Sequence, residues 1–140
     1  MSFHVPYSST PDGHGSQVYA AVLNIGLSSA NRDNPRTRPL EAIIDSGASR
    51  CVFHADFATA LGLELESGIA QRVQGIGGTE KIWLHPVTLH IPEGPVRVLA
   101  GFMKNLPVAG LLGMAGFFEH YTVTFDWTMK ESVLQRVYRV

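Results

Sequence analysis

Residues 42–50 read AIIDSGASR, so a carboxylate, Asp45, comes straight after an apolar run and is followed by a hydroxyl, Ser46, and then by Gly47. A strand ending this way carries an acid or base out of the core and stops it where the backbone can turn tightly. Other chemistries fit the chain poorly. A serine hydrolase needs G-x-S-x-G or a base held near Ser46, and the residues around Asp45 supply neither. GIGGTEK, residues 75–81, is not a phosphate loop, because Lys81 follows Glu80 and no Ser or Thr comes after it. His4, His14, His54, His85, His90 and His120 are scattered. His85 and His90 lie on one expected strand at a spacing that turns them to opposite faces, which is wrong for a shared metal. No metal and no cofactor is expected.

The elements that must position Asp45 are mostly strands. Residues 1–15, rich in Ser, Pro, Gly and His and without periodicity, read as a flexible N-terminal arm, and residues 16–140 as one domain. SQVYAAVLNIGL (16–27) is a strand. The polar insert SSANRDNPRTRP (28–39) is an exposed hairpin loop leading to the strand LEAIID (40–45). HADFATALGL (54–63) has helical spacing and stops at Gly62. IAQRVQ and EKIWLHPVTLHI flank the glycine-rich tip GIGGT as a long hairpin. PVRVLAGF is a strand, VAGLLGM an apolar segment, AGFFEHY (115–121) a second short helix, and TVTFDW and SVLQRVYRV a closing hairpin. The expectation is an all-β fold, mostly β with two short helices. Trp83, Trp127, Phe117 and Phe118 are read as core, and Asp126 as an outward strand residue near a turn.

Composition narrows the partners. The chain has 140 residues, with 11 Lys and Arg against 12 Asp and Glu, a net charge of -1, so no basic field attracts nucleic acid or anionic lipid. The single cysteine, Cys51, excludes an internal disulfide and a multi-thiolate metal site, and reads as a small buried hydrophobe. No apolar run approaches the ~18 residues of a membrane span, and the first residues lack the apolar stretch of a signal peptide. A soluble, cytoplasmic protein with no membrane contact is expected.

Taken in order, three segments resemble the retropepsin-like aspartic proteases, and the cellular and bacterial members more than the retroviral ones. IIDSGAS resembles the active-site loop of that family, GIGG its flap tip, and GLLGM the hydrophobic-hydrophobic-Gly segment after the flap. The resemblance implies the retropepsin-like acid protease fold with one lobe per chain. It implies an endopeptidase acting on a peptide or protein substrate, with Asp45, Ser46 and Gly47 as the catalytic loop. Ala48 and Arg50 beyond that loop, Gly75, Ile76, Gly77 and Gly78 in the flap, and Ala109 and Leu111 after it become the substrate-binding positions. In such enzymes one carboxylate activates water while a second acid protonates the carbonyl oxygen, and the two share a proton because like charges so close do not both ionise easily.

The second carboxylate is absent: Asp12, Asp33, Asp56 and Asp126 are not followed by Ser or Thr and then Gly. The resemblance therefore implies a symmetric homodimer that brings Asp45 of two chains together. Where retroviral members carry acidic residues and a pairing arginine, this chain has Ser49, Arg50 and Met114, so that ionic brace between subunits is missing. SVLQRVYRV is either a strand of the dimer sheet or an ordinary core hairpin. The alternative to a protease is a non-proteolytic module of the same fold used for protein binding or dimerisation.

Overall fold

The computed structural model describes residues 1–30 and 35–138. Residues 31–34 of the expected loop, and residues 139–140 at the end of the closing hairpin, lie outside the described residues. Strands dominate: β1 (Ser2–Pro6), β2 (Ser8–Pro11), β3 (Gln17–Ala20), β4 (Val22–Ser29), β5 (Leu40–Ile44) and β6 (Val52–His54) precede a single α-helix, α1 (Ala55–Ala60). After a one-turn 3₁₀ segment at Leu65–Ser67 come β7 (Ile69–Gly75), β8 (Gly78–His90), β9 (Val96–Met103), β10 (Gly110–Leu112), β11 (Tyr121–Asp126) and β12 (Glu131–Arg136).

Seven strands form one sheet in the order β4-β5-β10-β6-β9-β8-β7, and an additional β4–β8 pairing closes it on itself. Closure depends on β4 changing partner midway. Val22–Ile25 pair with β5, and Gly26–Ser29 pair with residues 87–90 of β8. The long strand β8 changes partner correspondingly. Its first half, through Leu84, pairs with β7, and its second half from Val87 pairs with β4. Pro86, with no N–H to give to a ladder, sits at that change. Before Trp83, where the pairing with β9 begins, β8 pairs with β7 alone, so the hairpin's outer part extends beyond the closed body.

Inside the closed sheet, Phe53, Phe102, Phe117, Ile25, Leu27 and Leu89 are fully buried. Each such side chain contributes about 1.5–3 kcal/mol of transfer free energy. A second, smaller cluster of Val52, Ile82, Leu84 and Leu106 lies at the base of the β7–β8 hairpin, with Val73, Met103 and Leu111 against it. Cys51 is buried, as are Trp83 and Phe117, while Phe118 packs partly buried on the main core. Trp127 departs from expectation: it is 63% exposed, with Lys130 Nζ 3.7 Å from its ring centroid and Tyr19 edge-on at 5.6 Å.

Two further expectations need correction. Residues 2–6 and 8–11 are not a free arm. Phe3 and Val5 alternate inward onto the core, and β1 pairs with β12 from Ser2↔Gln135 to Pro6↔Glu131. Two inward residues among Ser, His and Pro were too short a period to stand out in the sequence. The second helix is absent: residues 115–120 form successive turns, because Gly116 takes φ +101°, outside the helical region, and its N–H goes to Glu119 Oε1 at 2.7 Å. Within the chain, β12 lies between β1 and β11 in a three-stranded sheet whose outer strands are β1 and β11. No helix among the described residues is long and apolar enough to cross a membrane.

Candidate active site

The apolar run Leu40–Ile44 forms β5, with Ala42 and Ile44 facing the core, and the chain leaves the sheet at Asp45. Strand β10 lies parallel beside it, pairing Leu111 with Ile43 and Leu112 with Ile44, and its other edge pairs antiparallel with β6. Asp45 thus sits at the end of a strand flanked by a short central one, and its N–H donates to the carbonyl of Leu112 at 3.0 Å. The loop then folds back on the aspartate. The Gly47 N–H donates to Asp45 Oδ1 at 2.9 Å, and the Ala48 N–H to the Asp45 carbonyl at 3.2 Å. These contacts hold the half-buried carboxylate in one orientation.

The segment after β10 grips the loop from the other side. The N–H groups of Met114 and Ala115 donate to the carbonyls of Ala48 and Ser49 at 2.8 and 3.0 Å. Gly113 makes that approach possible: a Cβ there would stand 2.4 Å from the Arg50 carbonyl oxygen and 2.7 Å from that of Ala48. Cys51, directly below, donates its N–H to Ala115 at 3.3 Å and accepts from Gly101 at 2.9 Å, and burial pushes its thiol pKa up to about 11. It is a packing residue there, not a nucleophile.

A cleft of about 660 Å³, within the range of ligand sites, opens above this loop. Of the expected site residues, Asp45, Gly47, Ala48, Arg50, Gly75, Ile76 and Leu111 line it. Ser46, Gly77, Gly78 and Ala109 do not. Ser46 is exposed at the loop's apex, Gly77 and Gly78 belong to the far side of the hairpin tip, and Ala109 faces a separate hollow beside His54 and Phe57. The sequence reading missed Ser49, Val52, Val73, Gln74, Met103 and Pro107, which complete the lining. Val52 was within reach of sequence reasoning, two residues beyond Arg50, the spacing at which an extended chain returns to the same face. Met103 was not, since it arrives only through the parallel pairing of β6 with β9.

The hairpin over the cleft turns through Ile76 and Gly77, with Gly75 opposite Gly78, and the Ile76 side chain is fully exposed. Gly78, at φ +117°, is the tip glycine whose backbone disfavours other residues; Gly77 has no positive φ.

Asp45 is the one carboxylate lining the cleft among the described residues. Asp12 holds the β2–β3 turn through the N–H groups of His14 and Ser16, Asp56 lies in the first turn of α1, and Asp126 accepts from the Met129 N–H. Asp33 lies outside the described residues. The histidines at 85 and 90 are apart: His85 Nε2 contacts the Leu65 carbonyl at 2.8 Å, and His90 Nε2 contacts Ser28 Oγ at 2.8 Å.

A single lobe with an aspartate loop at a strand end, under a β-hairpin, is the retropepsin-like architecture. Residues 31–115, more than half the chain, match the family described as aspartyl protease, and the chain belongs to that family. Among solved structures it is similar to a retropepsin-like aspartic protease from Rickettsia conorii, at 16% identity and TM-score 0.64, covering 96% of this chain and 97% of that one. It is also similar to EIAV protease complexed with the inhibitor HBY-793, at 18% identity and TM-score 0.47, covering 74% of this chain and 88% of that one. The first likeness establishes a shared fold over nearly the whole chain. No curated protein matches it.

Proposed function

We propose that the protein is an aspartic endopeptidase whose working unit is a homodimer, with Asp45 of each chain forming the catalytic pair. The observation that carries this is the single, backbone-held carboxylate on the floor of a substrate-sized cleft. Acid–base hydrolysis needs two carboxyl groups, and a two-fold axis beside Asp45 would supply the second as a copy of the first.

Each group then has a task. One Asp45, ionised, takes a proton from a water whose oxygen attacks the scissile carbonyl carbon, while the other, protonated, gives its proton to the carbonyl oxygen. The tetrahedral diol collapses as the C–N bond breaks, the carboxyl that took the water's proton passes it to the leaving nitrogen, and a diol proton returns to its partner. Two carboxylates this close titrate as one coupled pair, which keeps a single proton on the dyad. Ser46, exposed and with no side-chain hydrogen bond within the described chain, is free to brace the partner's loop. The Ile76–Gly77 tip would close over the peptide and exclude water, with the Ile76 N–H facing the substrate through a bound water. Val52, Val73, Met103 and Leu111 favour apolar side chains beside the scissile bond.

The test combines sedimentation with a peptide-library digest across pH. A dimer that hydrolyses peptides, and an Asp45→Asn dimer that does not, are the expected results. A strictly monomeric species that still cleaves peptides would exclude the two-chain dyad.

A further inference from the structure

We infer that Arg50 makes this cleft selective for peptides bearing an acidic side chain that flanks, but does not adjoin, the scissile bond; the inference rests on the cleft's assignment to a peptide substrate.

Arg50 is the one cationic residue lining the cleft among the described residues, and Asp45 the one anionic residue. The two are separated by the loop 46–49, so Arg50 stands to one side of the position where a scissile bond would meet Asp45. Apart from Ser49 between them and Gln74 on the hairpin, the side chains lining the cleft around them are apolar, among them Val52, Leu111 and Met103. Arg50 and Val52 both line the cleft, whereas Cys51 and Phe53 are buried in the core.

The guanidinium is held but not neutralised. Its Nη1 donates to the Leu99 carbonyl at 3.3 Å, and the backbone at Arg50 is fixed by a parallel bridge to Ala115. No carboxylate pairs with Arg50 among the described residues. Only part of its donor fork is used, and the remaining N–H groups suit a carboxylate, which such a fork binds with two parallel hydrogen bonds. The half-buried position beside apolar walls lowers the local dielectric and strengthens such a pair compared with an open surface. A fork already anchored by one hydrogen bond also loses less freedom when the ligand arrives. The substrate class is therefore an extended peptide with apolar residues at the cleavage point and Glu or Asp further along. A two-fold dimer repeats the cleft, so the preference applies on both sides of the bond.

The experiment uses the full chain and pairs of peptides differing only by Glu or Gln at one flanking position, scanned along the peptide. Specificity is read as kcat/KM. In parallel, reduced-bond versions that cannot be cleaved are titrated calorimetrically into Asp45→Asn protein, so the inference is read even without turnover. At one position the wild type should favour Glu over Gln by roughly tenfold at low salt, the size expected for a charge-assisted pair. That ratio should shrink as salt rises. Arg50→Gln should bring it close to unity, Arg50→Lys should retain part of it, and Arg50→Glu should invert it in favour of Gln. Should Arg50→Gln fail to fold, the Lys variant and the salt series still carry the comparison. An unchanged Glu/Gln ratio in the variants, or no ratio at any position in the wild type, would overturn the inference and leave Arg50 as a brace for Leu99. Discrimination by the uncleavable peptides without any hydrolysis would uphold it while removing the protease reading.

Discussion

The backbone N–H of Asp45 donates to the carbonyl oxygen of Leu112 at 3.0 Å, which ties the aspartate to the end of β10. The proposed catalytic group is therefore positioned by residues almost seventy places further along the chain, and the site exists only once β5 and β10 have paired. Its rigidity comes from those ladders and from the carbonyls of Ala48 and Ser49 that accept from Met114 and Ala115.

If both copies of Asp45 are needed, mixing wild type with Asp45→Asn protein should depress activity through mixed dimers. At equal amounts and equal affinities, about half of the wild-type chains pass into inactive pairs, and about half the rate is lost. Initial rate against mutant fraction, with exchange verified by mass-tagged subunits, checks this. Rates that ignore added mutant despite proven exchange would rule out the shared dyad.

Gly113→Ala should destabilise the protein by about 3 kcal/mol or more, because the new methyl meets backbone oxygens of Arg50 and Ala48 that cannot rotate away. A lower urea midpoint with an unchanged slope would register it. A midpoint equal to wild type would mean that the loop has slack the structure does not show.

The two tip glycines should behave differently. Gly78, at φ +117°, should not accept Val without about 1–3 kcal/mol of local strain, whereas Gly77 has neither a positive φ nor a neighbour within 4 Å of its missing Cβ. Gly78→Val should lower kcat/KM roughly tenfold with little change in melting temperature, since the exposed tip contributes little burial. Gly77→Val should cost much less. Equal effects of the two substitutions on peptide hydrolysis would show that tip conformation does not govern closure.

Cys51 supplies a pH dependence of stability. Burial raises its folded-state pKa from 9.0 to about 11, so between those values the unfolded chain loses the thiol proton while the folded chain keeps it. The folded state's advantage is complete below pH 9 and is lost as pH rises towards 11, by on the order of 2 kcal/mol. Denaturant titrations at pH 8, 9 and 10.5 should show this fall in wild type and a shallower one in Cys51→Ala. Parallel curves would assign the alkaline loss to other groups, Tyr121 among them, whose pKa is also raised by burial.

Much of the β framework was legible locally. The strand expected over 40–45, the hairpin with its tip in GIGGT and the helix expected over 54–63 each carry their signal within a few residues; all three form, the strand as Leu40–Ile44 and the helix shortened to Ala55–Ala60. The Asp-Ser-Gly loop and the glycine-rich tip could be picked out through their resemblance to known segments, and of these glycines only Gly78 has a positive φ that restricts residue type. What failed locally also has a local explanation: the helix expected over 115–121 is replaced by turns, with Gly116 at a positive φ, Phe117 buried and Phe118 partly buried on the core.

Sequence alone determined that one aspartate loop, one glycine-tipped hairpin and one Leu-Leu-Gly segment follow each other in a mostly β chain, because strand and turn preferences act over neighbouring residues. Only the tertiary structure decided which side chains share the cleft with Asp45. Met103 and Pro107 are brought in and Ala109 is turned to another hollow by pairings between distant strands, β6 with β9 and β10 with β5. It also decided that the first residues form a strand and that β12 lies between β1 and β11, since a short segment such as Ser2–Pro6 gains its stability from the partner it meets and not from its own composition.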